Sequence, residues 1–78
     1  MKELIEAILY LKGQPLSLEE IVTYAHAESS EVEYALIELM SDYAHRPSAL
    51  EVVETPTGYS LQLRESYQNL MHQLIVYP

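Results

Sequence analysis

A chain of 78 residues has room for one small domain, because a chain this short buries only about 60% of the surface it exposes when unfolded; its size argues against a catalytic cleft between two lobes. Hydrophobic residues make up 49% of it and fall in patterned blocks, so it is a folding chain and not a disordered tail. Twelve acidic residues against four basic ones give a net charge of −8, a field that repels phosphate backbones and anionic lipid, so no direct nucleic-acid partner and no membrane partner are expected.

Cysteine is absent, which removes disulfides, thiolate metal sites and a thiol nucleophile, and fits a reducing compartment. No run of about 18 apolar residues and no secretory leader pattern occurs, so a cytoplasmic location is expected.

The first segment, Lys2 to Lys12, places Leu4, Ile8 and Leu11 at helical spacing, with Glu3 and Glu6 on the other side. Gly13 stops it, with Pro15 just beyond. Its apolar positions spread over roughly 200° of the helical wheel, wider than one core needs, which leaves Ile5 and Leu9 for something else. Two readings of that pair stay open: packing under the carboxy-terminal helix, or a dimer interface.

Ser17 stands three residues before Glu20, the capping-box spacing, and predicts a short second helix from Leu18 to about Ala25 with Ile21, Val22 and Tyr24 as its apolar side. Ser30 and Glu33 repeat the device and open a third helix. Its core stripe is Val32, Ala35, Leu36, Leu39, Met40 and Tyr43, and it ends near Ala44, before Arg46 and Pro47.

From Ala49 the period changes. Leu50, Val52 and Val53 form a β-rich run that ends at Glu54, and Thr55-Pro56-Thr57-Gly58 is turn chemistry. Tyr59, Leu61 and Leu63 then alternate with Ser60, Gln62 and Arg64 as a strand with one wet face does, so the two runs make an antiparallel hairpin. Tyr67, Leu70, Met71, Leu74 and Ile75 return to helical spacing. Three helices, a hairpin and a closing helix predict an α+β winged helix over residues 1–78, a single domain with the hairpin as wing and Leu16 as a short third strand.

The residues also resemble a family. Ile5-Glu6-Ala7-Ile8-Leu9-Tyr10, Gly13-Gln14-Pro15-Leu16-Ser17, the stretch from Glu31 to Leu39, and Gly58-Tyr59-Ser60-Leu61-Gln62 are similar to the amino-terminal winged helix of segregation and condensation protein B. The resemblance implies a non-enzymatic accessory subunit of a chromosome-condensing complex. Such a subunit pairs with itself and binds a kleisin, which bridges the head domains of the coiled-coil SMC ATPase. Family members carry a second winged helix after the first, so this sequence is expected to be a fragment or a shortened homologue in which self-association is the activity that survives.

The other reading of a winged helix is a DNA-binding transcriptional regulator. It would put the third helix in the major groove with basic residues reaching bases. Between Glu31 and Ala44, however, stand Glu31, Glu33, Glu38 and Asp42 and no basic residue, and the wing tip carries no charge. Glu31, Glu38 and Asp42 make an acidic stripe, which is either a solvated face or a surface that steers a basic partner. Beside it, opposite the core stripe, lie Tyr34, Ile37 and Ser41. The candidate protein interface is therefore Ile5 and Leu9 on the first helix, and Glu31, Tyr34, Ile37, Glu38, Ser41 and Asp42 on the third.

No catalytic residue, cofactor or metal is expected. No nucleophile elbow, phosphate loop or paired carboxylates accompany the available Ser and Asp residues. His26, His45 and His72 are widely separated, and His26 with Glu28 falls far short of a ligand set.

Overall fold

α1 (Lys2–Lys12), α2 (Leu18–Ala25) and α3 (Ser29–Ala44) precede a hairpin of β1 (Leu50–Thr55) and β2 (Gly58–Leu63); a 3-10 turn at Glu65–Tyr67 leads into α4 (Asn69–Leu74). This computed structural model describes residues 1–74, and the expected helical position Ile75 lies outside them. The element order is that of the α+β winged helix read from the sequence.

Local chemistry sets the boundaries. α1 ends on Gly13, which takes the left-handed conformation at φ 64° and donates its N–H to the Leu9 carbonyl. At the start of α2 the capping box closes in both directions: the Glu20 N–H donates to Ser17 Oγ at 3.1 Å and the Ser17 N–H to Glu20 Oε1 at 2.9 Å. α3 starts earlier than expected. Its cap is Glu28, whose N–H donates to Glu31 Oε1 at 3.3 Å, and not Ser30. Both pairs have the three-residue spacing; the hydroxyl preference at a cap favours Ser30, while the earlier start sets the carboxylates of Glu28 and Glu31 at the positive end of the helix dipole.

The core consists of Ile5, Leu9, Leu16, Ile21, Ala25, Val32, Ala35, Leu36, Leu39, Tyr43 and Val52. α3 lies at its centre, packed on α1, α2 and β1, and its stripe faces inward as its period requires. α1 is turned differently from the expectation. Ile5 and Leu9 are 0% and 1% exposed, whereas Leu4 and Leu11 are 44% and 79% exposed. Ile5 and Leu9 are therefore core residues of the single chain and not an exposed dimer surface, and the cluster that holds them contains no residue of α4. A helix apolar over so wide an arc does not set its own rotation. The elements it packs against do.

The strands pair antiparallel with Leu50 opposite Leu63, Val52 opposite Leu61 and Thr55 opposite Gly58. Val52 is buried, and Tyr59 and Leu61 pack half-buried on the core. Ser60, expected on the wet face, is 5% exposed; its short side chain lies between Gly58 and Gln62 along the strand and opposite Val53. Leu16 supplies the third strand as a single antiparallel bridge: its N–H donates to the Tyr59 carbonyl at 2.9 Å, and the Tyr59 N–H donates back at 2.7 Å. Gly58 makes that approach possible, because a Cβ there would lie 2.1 Å from the Leu16 carbonyl oxygen, and its φ of 140° disfavours any side chain. Arg64 fastens the other end, its guanidinium donating to the carbonyls of Leu50 and Tyr43. Tyr67, expected in the closing helix, falls in the 3-10 turn before it, while Leu70, Met71 and Leu74 lie on α4, and all four are exposed.

Candidate interaction surfaces

With Ile5 and Leu9 turned inward, α1 presents Leu4, Ala7, Tyr10 and Leu11 to the outside, Tyr10 being 71% exposed. This side borders the hairpin across an apolar groove made of two adjoining hollows of about 310 and 320 Å³, which share Tyr10, Leu50 and Leu61. The first runs on to Glu3, Glu6, Ala7 and Tyr43, the second to Gln62, Leu63 and Met71. At one edge the Tyr43 hydroxyl donates to the Glu6 carboxylate. That hydrogen bond, together with burial and the carboxylate charge, holds the Tyr43 pKa above its ordinary 10.0, so the phenol stays a neutral donor. Over the Tyr43 ring sits the Arg46 guanidinium, 4.3 Å from the centroid. The wide apolar arc of α1 is the sequence signal for this groove; read with the wrong rotation, it points to Ile5 and Leu9 instead.

The outward side of α3 has another character. Tyr34 and Ile37 are each 65% exposed, and Ser41 continues their line toward the helix end, where the His45 ring nitrogen Nδ1 meets the Ser41 carbonyl at 2.8 Å. Helical spacing of about 100° per residue puts Glu33 on one side of the Tyr34 and Ile37 pair, and Glu31 and Glu38 on the other. All three carboxylates are on exposed residues. Asp42 departs from the stripe. Half-buried, it pairs with the Lys2 ammonium at 2.5 Å, an interaction that raises the Lys2 pKa and ties the start of α1 to the end of α3. Toward the hairpin, burial raises the Tyr59 pKa, with the charges of Glu54 and Glu33 adding to it.

The wing tip is closed on itself, the Thr55 hydroxyl donating to the Gly58 carbonyl at 3.0 Å, and no charged side chain stands between Thr55 and Gly58. Tyr24, expected on the apolar side of α2, is 44% exposed and carries the Lys12 ammonium 4.7 Å above its ring. Among the described residues no three His, Asp or Glu side chains come together as a metal site, and no helix is long and apolar enough to cross a membrane.

The family model of the segregation and condensation complex subunit ScpB matches residues 3–77. Segregation and condensation protein B of Syntrophotalea carbinolica is 30% identical over 74 residues, which take in 95% of this chain and 38% of that protein. The chain thus spans well under half the length of this curated relative. A crystal structure of a dimer of the ScpB N-terminal domain complexed with ScpA peptide matches with a TM-score of 0.81 at 23% identity, over 95% of this chain and 86% of that one. ScpB from Mycobacterium tuberculosis matches with a TM-score of 0.83 at 17% identity, over 96% of this chain and 47% of that one. At these identities the likeness is one of fold, and it agrees with the winged-helix architecture.

Proposed function

This chain belongs to the family of the segregation and condensation complex subunit ScpB, and we propose that it acts as a non-enzymatic accessory subunit in chromosome condensation and segregation. In this reading it pairs with a second copy of itself, binds a kleisin of the ScpA kind and works through it with the SMC ATPase heads, in the cytoplasm. The relative crystallised as an N-terminal dimer with an ScpA peptide supports both contacts.

The observation that carries the reading is the apolar groove between α1 and the hairpin. A mostly apolar groove with Tyr10, Leu50, Leu61 and Met71 along it, and Glu3, Glu6 and Gln62 as its polar lining, suits a homodimer interface, in which two copies of the same face meet. Glu6, at the edge, already accepts from Tyr43. A small domain also gains from covering apolar surface that its own core cannot reach.

Sedimentation of the chain at micromolar concentration, alone and with an ScpA-like kleisin fragment, tests the proposal. The expected results are a dimer alone and a co-migrating complex with the fragment. A chain that stays monomeric and binds no kleisin fragment sinks it.

A further inference from the structure

We propose that the outward face of α3 is a docking strip for a basic amphipathic segment of a different polypeptide, and not a second self-contact. The inference deepens the accessory-subunit reading and rests on it for the existence of a partner.

Tyr34 and Ile37 stand outward at 65% exposure, an aromatic and a branched aliphatic side chain side by side on a rigid helix of 16 residues. Ser30 and Ser41, small and exposed, extend the same line at either end and leave it open. Carboxylates flank the pair on both sides, Glu33 on one and Glu31 and Glu38 on the other. The Lys2 ammonium is taken up by Asp42 at the far end of the helix. The fitting occupant has a narrow apolar stripe bordered by lysine or arginine, so that its apolar side chains cover Tyr34 and Ile37 while its cations meet the carboxylates at the rim. A second copy of this chain fits poorly, since it would set carboxylates against carboxylates. A DNA duplex fits poorly for the same reason.

The probe is a synthetic peptide of about five helical turns, with leucines on one stripe and lysines on either side of it, titrated into the isotopically labelled chain and followed by amide chemical shifts. Shifts centred on the segment from Ser30 to Ser41 are expected, with affinity falling as salt rises. The variant Glu33→Lys with Glu38→Lys, which spares the cap made by Glu31, should bind about tenfold more weakly or worse. Tyr34→Ala with Ile37→Ala should do the same. A peptide of identical composition scrambled to remove the stripe should also lose about tenfold. Equal binding of the scrambled peptide or of either variant overturns the proposal, as do shifts centred on Tyr10 and Leu61, or shifts at Tyr34 and Ile37 produced by duplex DNA. Sedimentation of the same samples reports self-association separately: Glu33→Lys with Glu38→Lys leaves the dimer intact, so loss of the strip and loss of the dimer are read from different measurements.

Discussion

α1 and α3 meet through the same kind of side chain and turn opposite kinds of surface outward. Inside, Leu9 and Leu36 are both 1% exposed and belong to one cluster. Outside, α1 shows Leu4, Tyr10 and Leu11 beside an apolar groove, whereas α3 shows two large apolar side chains held between carboxylates. Burial of the inner faces is indifferent to what lies outside, so each helix is free to carry a separate recognition chemistry. An apolar face suits contact with its own copy; an apolar line with acidic borders suits contact with something basic.

The largest effects come from the half of the comparison that the helices share. Leu9→Ala and Leu36→Ala should each cost about 2–5 kcal/mol of unfolding free energy in urea titration, because each leaves a cavity in one core. A marked inequality between them would mean that one helix is less integral than the packing suggests. Gly58→Ala should cost about 2–3 kcal/mol through backbone strain and the clash with the Leu16 carbonyl. It should also loosen the α1 groove before it affects α3, seen as amide exchange at Leu16 and Tyr59.

Tyr10→Ser with Leu11→Ser should change the unfolding free energy of the monomer by no more than about 0.5 kcal/mol. It should weaken self-association about tenfold or more, measured by sedimentation; a dimer that survives it would move self-association off the α1 face. The smallest effect lies at the seam between the two helices. Tyr43→Phe should cost about 1 kcal/mol at neutral pH, the usual net value of a hydrogen bond. The folded Tyr43 has a pKa above the unfolded 10.0, so the stability it contributes is whole below pH 10 and is lost as the pH climbs through the raised folded value. Thermal melts above pH 10 should fall less steeply for Tyr43→Phe than for the parent, with Tyr59, also raised, accounting for a further part of the fall.

Where a segment had one strong local signal, the sequence was a reliable guide. The Ser17 and Glu20 box set α2, the change of period at Ala49 set the hairpin, and the single residue Leu16 was placed in the sheet by element order alone. The rotation of α1 was not legible. Stripes containing Leu4 or Ile5 fit the same pattern when the apolar arc is that wide, and only contact with the rest of the core separates them. The start of α3 was ambiguous for a related reason, since two overlapping boxes compete within six residues, from Glu28 to Glu33. The face of α3 holding Glu31, Tyr34, Ile37, Glu38 and Ser41 was readable because an interior stripe of five buried residues leaves its opposite side fixed. The pairing of Asp42 with Lys2 joins residues too distant in the chain for any spacing rule to reach.

The four basic residues of the chain are each engaged within it. Lys2 holds Asp42, Lys12 lies over Tyr24, Arg46 lies over Tyr43, and Arg64 grips the carbonyls of Leu50 and Tyr43. Only Lys2 is paired with a carboxylate, and the net charge of −8 leaves the field around the molecule predominantly negative, so a partner meeting its acidic faces must bring the cations. Two copies approach against their own field and a basic partner approaches along it. Added salt then quickens the encounter of like with like and slows capture of the partner, which makes ionic strength a dial with opposite settings for the two kinds of assembly.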